Sequence, residues 1–264
     1  MNIPVIIHVP HASASIPESE REKLALTAGD LRRELLRMTD WWTDELFEVG
    51  GESVTRLVFP VSRLVVDPER FADDTDEPMA ARGMGAIYTR TSDGRPLRSP
   101  VDAEERQRLL QRYYVPHHEM LEQLVREALR TGGHCLVIDA HSFPSLSLPC
   151  DMDQSPDRPD ICLGTDLFHT PEWLRRGASA SFHRMGWNVE LNRPHSGTIV
   201  PVSFYHQDRR VISVMVEINR ALYMDERTGK RLPQFTEVSR NLQSALEALI
   251  ACLRRASPSS LTSR

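Results

Sequence analysis

Two histidines, a glutamate and an asparagine stand at the ends of apolar runs that read as strands. His11 follows Val5-Ile6-Ile7-His8-Val9-Pro10, and His141 follows Leu136-Val137-Ile138-Asp139-Ala140. Glu217 lies inside Val214-Met215-Val216-Glu217-Ile218-Asn219-Arg220, and Asn192 follows Val189-Glu190-Leu191. Open α/β folds gather strand-end residues at the carboxyl edge of the sheet, where their chemistry usually sits. Two imidazoles and a carboxylate are the usual protein ligands of a catalytic zinc, which keeps a fourth position for water. Asp40 and Asp44 both offer the carboxylate; four apart on one predicted helix, they share a face. A lone strand-end histidine would be an ordinary surface residue. The pair with acids nearby is what points to a metal.

Other residues carry less. Ser142 beside His141 lacks a Gly-x-Ser-x-Gly elbow, and neighbours on an extended chain point to opposite faces, so it is not read as a nucleophile. Gly83-Met84-Gly85 is not a phosphate loop, and the acids of 73–77 lack EF-hand spacing. Arg63, Arg70 and Arg193 are candidates for holding an anionic ligand, because a guanidinium can give a carboxylate two parallel hydrogen bonds.

The elements that must position these groups alternate between strand and helix. Strands are expected over 5–9, 54–59, 63–66, 136–139, 161–164, 189–191, 198–202 and 211–218. Helices are expected over 18–25, over 30–49 with Asp30 as N-cap, and over 102–129 with an interruption at Pro116. Two more are expected over 171–185 and 237–253. The stretch 68–100 reads as a long irregular loop, which in a compact domain is usually functional or disordered. The alternation argues for a three-layer α/β/α sandwich with a mixed, mainly parallel sheet.

The bulk numbers narrow the class. The 264 residues suit one large α/β domain, and no linker divides them. A single domain over 1–256 is expected, with the polar 257–264 as a disordered tail. A net charge of -5 gives no general pull toward nucleic acid or an anionic membrane. Cys135, Cys150, Cys162 and Cys252 lack paired CxxC spacing and read as reduced thiols. The opening MNIPVIIHVPHAS has no basic region before a long apolar core, and no apolar run approaches the ~20 residues a membrane span needs. A cytoplasmic protein is expected.

Six pieces occur in a recognisable order over residues from about 5 to 225: VPHASASIP, TDWWTDELF, SRLVVDPER, IDAHS, ELNRPHSGTIV and VEINRALYMDE. No single piece is specific. The ordered set resembles the N-formylglutamate amidohydrolase (N-formylglutamate deformylase) family. That resemblance implies a zinc-exopeptidase-like (phosphorylase/hydrolase-like) fold, similar to zinc carboxypeptidases and aspartoacylase. It implies a zinc-dependent hydrolase of N-acyl amino acids, releasing formate and L-glutamate from N-formyl-L-glutamate, as in histidine degradation.

By the same resemblance His11 and His141 are ligands of one zinc ion. Asp40 is the third, ahead of Asp44, because Thr-Asp-Trp is the more constant part of its segment. Glu217 matches the general base, and Arg63, Arg70, Asn192 and Arg193 would hold the substrate carboxylates. Asp139 would orient His141. Iron, cobalt or manganese would also suit such ligands. Two departures fall where the resemblance puts substrate recognition. Ser196-Gly197 stands for a double glycine, and Asp67-Pro68-Glu69-Arg70 for Asp-Leu-Asn-Arg. Another N-acyl amino acid is therefore the alternative substrate, and a non-catalytic binding homologue the alternative function. Oligomeric state is not legible.

Overall fold

β3 (Cys135–Phe143) and β6 (Val211–Asn219) are buried at all nine positions each, so the centre of the sheet must be covered on both faces. The computed structural model describes residues 3–255, so the expected tail lies outside the described residues. Around β3 and β6 stand β1 (Val5–Val9), β2 (Val54–Val58), β4 (Ile161–Gly164) and β5 (Val189–Leu191). The spatial order is β2-β1-β3-β6-β4-β5. The first four strands are parallel, while β4 runs antiparallel to β6 and carries β5 parallel to itself. This is the expected mixed, mainly parallel sheet.

Strand alternation divides the core into two sides. Val5, Ile7, Leu136, Ile138 and Val214 pack with α6 (Glu172–His183) and α7 (Phe235–Arg255). Ile6, Val137 and Val211 pack with Leu121, Val125 and Ala128 of α5 (Val115–Gly132). By the same alternation Asp139, His141 and Glu217 share the second side. Among the described residues no helix is long and apolar enough to cross a membrane.

Several expectations need correction. The strand expected over 136–139 continues to Phe143, because β6 supplies ladder partners up to Asn219; His141 therefore lies within the strand. Segment 63–66 is not a strand. Leu64, Val65 and Val66 are buried by the following loop, and a short apolar run cannot reveal by itself which element covers it. Segment 198–202 is likewise irregular. The long loop is packed down, with a 3₁₀ turn over Pro78–Arg82 and with Met84, Tyr88 and Leu97 sharing a small core with Leu24, Leu31, Met38 and Leu64. The first helix, α1, spans only Glu18–Arg21.

The helix expected over 30–49 is two. α2 (Ala28–Met38) is capped by Thr27, whose hydroxyl accepts the Asp30 N–H at 3.1 Å, so Asp30 is not the cap. Thr27→Ala is expected to cost about 1 kcal/mol, read as a lower urea midpoint with an unchanged slope. The chain then breaks, with Trp42 at φ 68°, before α3 (Thr43–Leu46). The break is held by the Asp40 N–H donating to the His11 carbonyl at 2.9 Å. Asp102 caps α4 (Ala103–Leu109), and a π turn over Leu110–Tyr114 leads into α5. The wider turn accommodates Pro116, which has no N–H to give the ladder.

Candidate metal centre

The end of β1, the α2–α3 break and β3 bring His11, Asp40 and His141 together, at 2%, 1% and 6% exposure. Asp40 Oδ2 lies 3.1 Å from His141 Nδ1 and 3.6 Å from His11 Nδ1. One ligand atom from each of the three lies within 4.8 Å of the others. Asp44, on α3, is not in this group. Arg220 Nη2 donates to Asp40 Oδ1 at 2.8 Å, while its Nε donates to Ser142 Oγ at 3.0 Å. Ser142 is thus a prop for Arg220. Burial alone would raise the Asp40 pKa, but the two imidazoles and Arg220 hold its carboxyl well below the usual range.

Each imidazole has a carboxylate behind it. His11 Nε2 lies 2.8 Å from Asp67 Oδ1, which fixes the proton on Nε2 and leaves Nδ1, buried and without a hydrogen-bond partner, as a lone pair. His141 Nε2 is 3.1 Å from Asp139 Oδ1, but the angle makes no hydrogen bond. Asp67 is itself gripped by Arg63, through Nη2 at 2.7 Å and Nε at 3.1 Å, and by the Tyr88 hydroxyl. Against the cost of burial, Arg63 and His11 keep its carboxyl well below the ordinary range. The unpartnered His11 Nδ1, the His141 Nδ1 that shares Asp40 Oδ2, the charged carboxylate between them and Asp67 behind His11 are a donor set that fits a divalent transition metal. Asp67→Asn is expected to weaken metal binding about 10–100-fold, measured by competition with a coloured chelator.

Glu217 pairs with His141 in the register of β3 and β6, so their side chains are neighbours on one face. Its Oε2 is buried and has no hydrogen-bond partner, and His195 Nε2 lies 3.8 Å away. The sequence reading missed Asp67, His195 and Arg220 in these positions. All three stood in the motif segments, but no local spacing ties Asp67 to a histidine 56 residues away.

The other predicted residues divide. Arg63 is occupied by Asp67. Arg70 has a buried Nε without a partner, 3.7 Å from Asp67 Oδ2. Asn192, at φ 55°, accepts the Thr165 N–H at 2.8 Å. Arg193 binds Glu190, Ser155 Oγ and the Asp157 carbonyl at 2.6, 2.7 and 2.7 Å. It braces two loops together. An open surface cleft of about 300 Å³ lined by Arg126, Arg130 and Arg210 lies at the opposite, amino edge of the sheet. Its arginines are already paired with Glu122, Glu127 and Asp208.

A second buried group adjoins the first. His8 Nδ1 lies 3.0 Å from Asp139 Oδ1 and 3.2 Å from Glu69 Oε1, and its Nε2 lies 2.8 Å from His117 Nε2. Only one proton fits between the two rings. Burial lowers both pKa values, but Asp139 and Glu69 outweigh it at His8 and raise that ring to about 9. His117, buried beside that charge, falls to about 2. Against an ordinary value of 6.5 for each, the His8 contribution is full below pH 6.5 and lost as pH rises through 9. The His117 contribution is full above 6.5 and lost as pH falls toward 2. The pair's stabilisation should therefore peak near pH 6.5. Urea midpoints of the protein and of a His8→Asn/His117→Phe variant, compared across pH, read this; a gap between them that does not vary with pH would contradict it.

Comparison with known proteins agrees with the fold. The chain is similar in structure to an N-formylglutamate amidohydrolase from Ralstonia eutropha JMP134, with a TM-score of 0.82, 24% identity, and 96% and 95% of the two chains covered. A gene product from Agrobacterium tumefaciens follows at TM-score 0.64 and 19% identity, over 94% and 90%. No curated protein matches the sequence. The sequence model described as N-formylglutamate amidohydrolase matches residues 3–224, most of the chain, and the protein therefore belongs to the N-formylglutamate amidohydrolase family.

Proposed function

We propose that the protein is a metal-dependent amidohydrolase that cleaves N-formyl-L-glutamate to formate and L-glutamate, with His11, Asp40 and His141 holding one zinc ion. The observation that carries this reading is the buried, unpartnered Nδ1 of His11 facing Asp40 and His141, with the unpartnered Oε2 of Glu217 on the neighbouring strand. A divalent cation held by His11, Asp40 and His141 would supply a Lewis acid and lower the pKa of a water molecule toward ~7. Glu217 takes a proton from the attacking water at Oε2 and returns it to the leaving nitrogen. Asp67 keeps the His11 imidazole oriented, Asp40 itself holds His141 through Nδ1, and Arg220 holds Asp40 in its rotamer. Arg70 meets a substrate carboxylate, while Arg63 and Arg193 serve by holding Asp67 and the loop wall.

One observation favours a second reading, a deacylase of another N-acyl amino acid. Glu69 stands where the family has Asn, and puts a carboxylate 3.9 Å from His141 Nε2, which would repel an anionic ligand. Elemental analysis of the purified protein, with a panel of N-formyl, N-acetyl and N-succinyl amino acids, tests both. The expected result is one equivalent of metal and formate release from N-formylglutamate that stops on chelation. Metal-loaded protein that hydrolyses none of the panel would overturn the proposal.

A further inference from the structure

We infer that Arg158 is an anion-binding subsite that takes a carboxylate of the substrate; the inference rests on the proposed amidohydrolase reading. Its side chain is only 2% exposed, and Nη2 donates to Asp151 Oδ2 and to the Asp153 carbonyl, both at 2.9 Å. Nε and Nη1 are buried and have no partner at all. A charged group that leaves two donors unpaired inside a protein is held against a steep desolvation cost, so an oxygen acceptor is expected at each of them.

The surroundings of Arg158 fasten it to the candidate site from two sides. The next two residues are tied to the end of β6: Asn219 Nδ2 donates to the Pro159 carbonyl at 3.0 Å, and Asn219 N to the Asp160 carbonyl at 2.9 Å. Asn219 is two residues beyond Glu217 on that strand and shares its face. The preceding residue is tied to the loop that carries His195, through Arg193 Nη2 and the Asp157 carbonyl at 2.7 Å. His195 in turn reaches Glu217 at 3.8 Å. The backbone on both sides of Arg158 therefore lies beside the carboxyl end of β6, just past Glu217. Water could satisfy the free donors, but a carboxylate makes the stronger, charge-assisted bond to a guanidinium. Every N-acyl amino acid carries one such group, and N-formylglutamate carries two.

The test compares the protein with Arg158→Met and Arg158→Lys in two measurements. One is calorimetric binding of L-glutamate, which needs no turnover. The other is KM and kcat for N-formylglutamate, N-formylglutamine and 4-formamidobutanoate. For Arg158→Met the expected result is a rise in glutamate Kd and in KM of at least about tenfold, with kcat little changed and partial recovery in Arg158→Lys. Loss shared by N-formylglutamate and N-formylglutamine assigns the α-carboxylate. Loss shared by N-formylglutamate and 4-formamidobutanoate assigns the side-chain carboxylate. Unchanged Kd and KM in either folded variant, or no glutamate binding by the parent protein, would overturn the inference. If Arg158→Met does not fold, Arg158→Lys alone decides, because it keeps the charge and loses the donor geometry. Glutamate binding that depends on Arg158 without any hydrolysis would sink the amidohydrolase reading and leave the subsite standing.

Discussion

Glu217→Gln is expected to lower kcat by about 10²–10⁴-fold and to leave metal content unchanged. Glutamine keeps the shape of the side chain and can still accept a hydrogen bond, but it cannot take a proton from water. Glu217 is outside the His11, Asp40 and His141 group, so the metal equivalents should stay as in the parent protein. Stability should stay level or rise. The parent carboxylate keeps a buried Oε2 without a hydrogen bond, and an uncharged amide costs less to hold there. Formate release, elemental analysis and a thermal melt on one preparation check the three parts together. A variant that retains activity within a few-fold would move the base elsewhere, with His195, 3.8 Å from Glu217 Oε2, the first group to examine.

Asp40→Ala carries the second large effect, because it removes a proposed ligand and a counter-charge in one step. Arg220 is 3% exposed and would lose the carboxylate that faces its Nη2. Breaking a buried pair from one side costs about 3–5 kcal/mol. The protein should also lose the stabilisation that metal gives, about 2.7 kcal/mol at a free concentration a hundred times Kd. Urea unfolding with and without chelator separates the two. The first loss appears in both conditions, the second only in the difference. Adding Arg220→Met should return part of the first loss and none of the second. An Asp40→Ala protein that still binds one equivalent of metal would hand the place to another acid, and Asp139 and Glu69, 3.1 and 3.9 Å from His141 Nε2, would be the first to examine.

The sheet was legible because its signals are local. Buried strands such as 5–9 and 211–218 show as short apolar runs, and the following polar residue marks the carboxyl edge. Segment 63–66 shows the limit of the same rule. Its side chains are as buried as a strand's, but a loop covers them, and a run of four residues does not record what lies on top. The helix over 30–49 failed for a related reason. Its apolar spacing continues through Thr39–Trp42, while the break is held by a hydrogen bond to His11, far away in the chain.

By itself the sequence determined the α/β class, the strand ends that carry His11, His141 and Glu217, and the short choice between Asp40 and Asp44. Strand period and residue type suffice for that much. The tertiary structure alone decided which acid faces the two imidazoles, since Asp40 sits in the break and Asp44 on the turn beyond it. It also decided what the arginines do. Arg63 is tied to Asp67, Arg193 to the loop beside Asp157, and Arg220 to Asp40 across 180 residues of sequence. Arg158 is left with free donors beyond Glu217. An arginine reads the same in sequence whether its donors are spent or free, and only the neighbours that folding brings to it tell the two apart.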